Sequence, residues 1–261
     1  MRVLGLIAAT ALLLAACGDP GATTALSSST TALASGLDGE LLVSAAASLT
    51  DAFADIETAF EHANPGVDVV LNLGGSSSLR EQILEGAPAD VFASANMANM
   101  DDVRTAGEVA TEPRVFATNL LQIAVPAGNP GGVTGLEDFG RGDLLIGLCA
   151  EGVPCGDFAR EALRKAGVDP AVDTNEPDVR ALLTKIEIGE LDAGITYVTD
   201  VVTSGGAVEG IEIPAEQNVT ADYPIAVLAK APNPVVAERF VAFVLSAEGQ
   251  AILAQYGFAS P

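Results

Sequence analysis

Short apolar blocks and helix-spaced apolar stripes alternate along most of this chain. Residues 41–43 form one block, and Phe53, Ile56 and Phe60 then recur on one face of a helix within residues 51–63. After the turn Asn64-Pro65-Gly66, residues 67–73 predict a strand. Leu79, Ile83 and Leu84 predict a helix that Gly86 and Pro88 end. Residues 91–93 predict a third strand and 97–106 a third helix. Further strands are expected at 120–125, 144–148, 193–197 and 225–228. Further helices are expected at 158–166, at 179–188 and over most of 235–256. Strand followed by helix, repeated without an internal sequence repeat, predicts an α/β fold with largely parallel sheets.

The N-terminal residues follow a different pattern. Arg2 precedes an apolar run over residues 3–14, and Leu14-Ala15-Ala16-Cys17 follows. A basic residue, a short apolar run and small residues before a cut describe an export signal, and the run is short for a membrane span. Cys17 directly after Leu-Ala-Ala resembles a bacterial lipobox, in which that cysteine is acylated. An ordinary signal peptide with an incidental cysteine is the alternative. Residues 18–39 are mostly Ser, Thr, Ala and Gly, too poor in large apolar groups to offset the entropy of ordering. The expectation is a signal peptide over 1–16, a lipidated Cys17 with a flexible tether to 39, and folded sequence from Glu40.

Charge removes several partners. The chain has 12 Lys and Arg against 35 Asp and Glu, a formal net charge of -23. Loss of residues 1–16 would take away Arg2 and no acid, making the balance more negative still. Such a surface argues against nucleic acid, and against an anionic membrane other than through the lipid anchor. Any anion site must therefore work by local geometry. Beyond Cys17 there are two cysteines, Cys149 and Cys155, a disulfide candidate in an exported chain. His62 is the only histidine and is far from both, which leaves no protein metal site; it reads as an exposed residue at a helix end.

Chemistry concentrates where helices begin. Ser48 lies between the first strand and first helix, and Ser48-Leu49-Thr50-Asp51 has the spacing of a capping box. Ser76-Ser77-Ser78 occupies the next strand-to-helix junction, where Ser78 and Glu81 repeat that spacing. Val153-Pro154-Cys155-Gly156 and Glu176-Pro177-Asp178-Val179 precede two more helices, with proline where a first turn tolerates it. Any one of these is an ordinary helix start. Parallel α/β folds, however, gather such starts at one sheet edge, where free N–H groups and dipole ends make an anion site. The chain shows no phosphate-binding Gly-Lys loop, no Gly-x-Ser-x-Gly elbow and no histidine base paired to a nucleophile, so it reads as a non-enzyme.

Ala45-Ala46-Ala47-Ser48-Leu49-Thr50-Asp51-Ala52 resembles the first signature of the molybdate-binding proteins of bacterial ABC transporters. Ser76-Ser77-Ser78-Leu79 with Gln82-Ile83 is similar to a second, and the run from Gly86 through Pro88, Asp90 and Phe92 to Ala95 to a third. Val153-Pro154-Cys155-Gly156, Asp178-Val179-Arg180, Gly194-Ile195-Thr196-Tyr197 and Tyr256-Gly257-Phe258 continue the likeness over residues 41–258. The resemblance implies a two-lobe periplasmic-binding-protein fold of type II, each lobe a mixed sheet flanked by helices, with the ligand in the hinge cleft. One lobe would be residues 40–118 plus 223–261 and the other 119–222. Ser48 and Ser76 would donate hydroxyl and backbone N–H bonds from the first lobe, Cys155 and Val179 backbone N–H bonds from the second, and Tyr197 its hydroxyl. The chain departs from the family at Cys155, where alanine is usual, and lacks an Asp-Pro pair near Cys149. A backbone donor tolerates that change of side chain.

Neutral donors suit such a ligand. Molybdate is a fully deprotonated dianion at neutral pH, whereas hydrogen phosphate carries a proton that an all-donor site leaves unpaired. Tungstate nearly matches molybdate; sulfate is also all-acceptor but smaller. The expected role is an exported, lipid-anchored monomer on the outer face of the cell membrane. It would need no cofactor and would deliver molybdate or tungstate to a permease and its ATPase. Binding of another tetrahedral oxyanion such as sulfate is the alternative. An exported enzyme on the same fold, or a sensor module, would be rivals from other classes.

Overall fold

A computed structural model of the protein describes residues 36–261. The expected signal peptide over residues 1–16, the expected acylation at Cys17 and the expected tether as far as residue 35 lie outside the described residues. Strand β1 (Asp38–Ala46) begins two residues before the expected start at Glu40, because Asp38 and Gly39 pair with Gly66 and Val67 of β2 (Gly66–Gly74). Neither Asp38 nor Gly39 has an apolar side chain, so this part of the backbone ladder leaves no trace in the apolar pattern.

The first strands and helices fall where the apolar spacing places them. After β1 come a 3-10 turn (Ala47–Leu49) and α1 (Thr50–Ala63), which buries Phe53, Ile56 and Phe60. Then follow β2, α2 (Ser76–Leu84), β3 (Val91–Ala93) and α3 (Met97–Thr105). The long strand β4 (Arg114–Pro126) leads through a 3-10 turn (Leu136–Gly140) to β5 (Ile146–Cys149) and α4 (Pro154–Ala166). Next are β6 (Val172–Glu176), α5 (Val179–Glu187), β7 (Ala193–Tyr197) and α6 (Val198–Thr203). The chain ends with β8 (Val208–Glu212), β9 (Thr220–Val227), α7 (Pro234–Val244) and α8 (Ala247–Gln255). Strands β6 and β8 escaped the sequence reading: both alternate polar residues with few large apolar ones, as their half-exposed faces require.

The strand order is β2-β1-β3-β9-β4-β7-β5-β6, with β8 also paired to β4. Pairs β1–β2, β1–β3, β5–β6 and β5–β7 are parallel, but every pair made by β4 or β9 is antiparallel. The sheets are therefore mixed, as the resemblance implies, rather than largely parallel, as the strand–helix alternation alone predicts. Two parallel three-stranded sets, β1 to β3 and β5 to β7, are joined through the antiparallel β4 and β9. The first half of β4 pairs with β9 and its second half with β7 and β8. Buried Asp90 ties the first set to the C-terminal helices: its carboxylate accepts from the N–H groups of Leu42 at 2.8 Å and Asn233 at 2.5 Å. Among the described residues no helix is long and apolar enough to cross a membrane.

Candidate anion-binding site

The C-terminal ends of the two parallel strand sets meet around a small, narrow cavity. Its wall includes Ser48 after β1, Gly75 and Ser76 after β2, and Ala95 after β3. On the other side are Cys155 after β5, Val179 after β6 and Tyr197 at the end of β7. The structure thus brings all five residues of the sequence reading (Ser48, Ser76, Cys155, Val179 and Tyr197) to one cavity, although up to 149 positions separate them. Among the described residues no Lys, Arg or His lines it.

The local helix geometry differs from the capping boxes expected. Ser48 lies inside the 3-10 turn and α1 starts two residues later; neither that turn nor α2 has a side-chain cap. Helix α2 begins at Ser76 itself, so Ser78 sits within the first turn, where its hydroxyl accepts from Gln82 Nε2 at 3.5 Å. The serines near the cavity are consequently not spent on capping. Ser76, Cys155 and Val179 occupy first-turn positions of α2, α4 and α5, whose N–H groups have no acceptor within the helix. Those N–H groups and the associated dipole ends favour negative charge.

The hydroxyls are also held. Ser76 Oγ accepts from the Ala95 N–H at 3.0 Å, which leaves the serine proton free to be donated. Ser48 Oγ lies 2.9 Å from the hydroxyl of Tyr223. Tyr197 is 1% exposed, and its hydroxyl is one of three buried polar side-chain atoms without a partner among the described residues. The other two, on Asn99 and Thr196, belong to residues outside the cavity wall. Burial, reinforced by the nearby Tyr223 and Asp200, pushes the Tyr197 hydroxyl well above its usual range, so it stays protonated and can donate. Beneath it, Asp200 accepts from the Tyr197 N–H at 2.9 Å; burial is the main cause that pushes this carboxyl up to about 7.

The second side of the cavity is braced by the Cys149–Cys155 disulfide, whose Cα atoms are 5.7 Å apart. Arg160 Nη1 donates to the carbonyls of Cys149 at 2.7 Å and Gly156 at 3.0 Å, closing the same loop from below. At the rim, Arg180 of α5 pairs with Asp51 of α1 at 3.0 Å. Close by, the backbone of Gly75 approaches the Pro177 carbonyl so nearly that a Cβ there would sit 2.6 Å from the oxygen. His62 is exposed in the last turn of α1, and among the described residues no group of three or more His, Cys, Asp or Glu could hold a metal ion.

Three participants escaped the sequence reading. Ala95 ends the Gly86–Ala95 run already singled out, so its neighbourhood was visible though its role was not. Gly75 is visible only as a glycine before Ser76. Tyr223 had no local signal, since it meets Ser48 across 175 positions of sequence.

A fold with two parallel strand sets facing each other across a cavity where helix N-termini and hydroxyls converge, and which no cation among the described residues lines, is that of a solute-binding protein. Residues 41–259 match the family of bacterial extracellular solute-binding proteins, and the chain belongs to that family. Among its relatives, the molybdate-binding protein ModA of Mycobacterium tuberculosis is 41% identical over 221 residues, 85% of each chain. The molybdate-binding protein ModA of Escherichia coli is 35% identical over 237 residues, covering 85% of this chain and 89% of that one. A solved structure, the substrate-binding domain of a putative molybdenum ABC transporter from Clostridium difficile, superimposes with a TM-score of 0.65 at 28% identity. That match covers 85% of this chain and 99% of the other.

Proposed function

We propose that this protein captures molybdate, and tungstate as its near twin, and presents it to the permease and ATPase of an ABC importer. The observation that carries the reading is the buried Tyr197 hydroxyl, protonated and without a partner in the wall of a cavity where three helix N-termini converge. A buried donor left unpaired costs about 1–3 kcal/mol, so the site is built to be completed by a ligand of acceptors. The relatives named for molybdate point to the same ligand.

Ser48 and Ser76 donate hydroxyl and backbone N–H bonds, Cys155 and Val179 donate backbone N–H bonds, and Tyr197 donates its hydroxyl. Residues 40–118 with 223–261 form one lobe and 119–222 the other, with β4 and β9 as the crossing strands. The lobes close on the anion through the Gly75–Pro177 and Asp51–Arg180 contacts. Binding and release need no cofactor and no catalysis. The protein acts as a monomer, exported and held to the outer face of the membrane by acylated Cys17.

Ligand at about a thousand times its dissociation constant adds roughly 4 kcal/mol of stability. For a chain of this size that raises the melting temperature by about 8–16 °C. A thermal melt with sodium molybdate should show this rise. A melt unmoved by molybdate and tungstate but raised by sulfate or phosphate would show that the ligand is wrong.

A further inference from the structure

We propose that the Asp51–Arg180 ion pair is a latch on the closed cleft, which sets how long an anion is held but not which anion. The inference rests on the molybdate reading above and concerns release, a step for which the cavity wall alone does not account.

The pair is singular in its placement. Arg180 Nη1 lies 3.0 Å from Asp51 Oδ2, across 129 positions of sequence. Among the described residues it is the one ion pair that joins residues 119–222 to the rest of the chain. Apart from bonds made by residues of β4 and β9, no other hydrogen bond among the described residues does so.

Each half of the pair sits beside a ligand donor. Arg180 follows Val179 in the first turn of α5, and a second bond, to Thr203 Oγ1 at 3.3 Å, holds its guanidinium within its own lobe. Thr203 gives its proton to the Asp200 carbonyl at 3.2 Å and so is free to accept. Asp51 stands three residues past Ser48 in the first turn of α1. Thr50 Oγ1 donates to the Ala47 carbonyl at 2.6 Å, which ties that turn to the Ser48 segment. Breaking the pair therefore lets the Val179 N–H and Ser48 part along with their lobes. Arg180 is a positioning residue in this sense.

Little else holds the lobes together at this rim. Next to the pair, Ala54 and Asp55 of α1 face Val202 and Thr203 of α6 across an open crevice, and Val202 is left 53% exposed. Packing gives the closed form little help there, so the ion pair is the bond that opening must break. Neither residue belongs to the cavity wall. The pair consequently closes alike on any anion that the cavity admits.

Removing the acid separates a latch from a bystander charge. Asp51 adds negative charge beside an anion site in a chain of net charge -23, so by the long-range field alone its loss should strengthen binding. A latch predicts the opposite sign.

Dissociation of radiolabelled molybdate from the full chain, chased with unlabelled molybdate, reads the dwell time directly. Asp51→Asn and Arg180→Gln should each speed release about fivefold, the size expected of one partly exposed ion pair. The double variant should release no faster than either single one, because both substitutions remove the same bond. Calorimetry should find the molybdate-to-sulfate affinity ratio at its wild-type value in all three. Both side chains are partly exposed, at 35% and 37%, and both replacements keep nearly the same shape, so the fold is kept.

Release slowed or unchanged in Asp51→Asn would overturn the inference. So would costs that add in the double variant, which mark separate damage to α1 and α5 rather than one broken pair. A changed molybdate-to-sulfate ratio would overturn it as well, since the pair would then act on the ligand itself. Each of these results leaves the molybdate reading standing. Wild-type protein that retains no molybdate would overturn both.

Discussion

Gly75→Ala is expected to weaken molybdate binding about a hundredfold, and Gly75→Val more than a thousandfold, with little change in the melting temperature of the free protein. The backbone at Gly75 has φ -59° and ψ 133°, a conformation open to any L-residue, so the substitution introduces no local strain. The conflict lies across the cavity. A Cβ at this position would stand 2.6 Å from the Pro177 carbonyl oxygen, and a backbone oxygen cannot swing aside as a side-chain tip can. Asp178, the next residue, caps α5 by accepting from the Ala181 N–H at 2.9 Å, so Pro177 moves only with the start of that helix. The displacement would carry the Val179 N–H from the ligand and part Cys155 and Tyr197 from Ser48 and Ser76. Each hydrogen bond to a charged partner is worth about 1.5–3 kcal/mol, so losing one or two accounts for these factors. Binding at wild-type strength in Gly75→Val would mean that the two sides do not close on the ligand.

The second large effect is expected at Val179, where a backbone donor can be deleted with little else disturbed. Val179 is the first residue of α5, the position at which a helix best accepts proline. Asp178 before it is extended, with φ -159° and ψ 174°, which suits a residue preceding proline. Val179→Pro thus removes one N–H and part of a buried side chain. Val179→Ala removes the side-chain bulk alone and serves as the reference. Relative to Val179→Ala, the proline variant should lose about ten- to a hundredfold in molybdate affinity while its melting temperature without ligand stays close. Equal affinities in the two variants would remove the Val179 N–H from the site.

How far the sequence revealed this arrangement depended on the range of the interaction concerned. Phe53, Ile56 and Phe60 announced α1 because a helix must bury one stripe, and residues 67–73 announced β2 as an apolar block. Pairing between strands is not written locally: the resemblance implied a mixed sheet in each lobe, but the antiparallel roles of β4 and β9 came only with the structure. The same division holds at the site. Pro154 and Pro177 punctuate helix starts that sequence alone exposes, and family resemblance supplied Ser48, Ser76, Cys155, Val179 and Tyr197 as a set. The serine spacings that looked like capping boxes were misleading. Ser48 lies in a 3-10 turn, and Ser76 rather than Ser78 opens α2, which leaves the hydroxyls of Ser48 and Ser76 free for other partners. Those partners, Tyr223 and Ala95, are distant in sequence, and nothing local to Tyr223 marks it as the neighbour of Ser48.

The chemistry of the site follows from what lines it and what does not. A net charge of -23 works against any anion at long range, and among the described residues the cavity offers no cation in compensation. Attraction must come from short-range, oriented donors: first-turn N–H groups, two held serine hydroxyls and the tyrosine hydroxyl kept protonated by burial. Such a site favours an anion that only accepts, and its narrow walls favour one size.

The most direct test of this account is calorimetric titration of the wild-type chain with molybdate, tungstate, sulfate and phosphate under one buffer and pH. Molybdate and tungstate should bind at one site per chain with closely similar affinities, sulfate at least a hundredfold more weakly, and phosphate weakest. Sulfate or phosphate binding as tightly as molybdate would contradict the account, because oriented donors in a cavity of fixed size would then not be what selects the ligand.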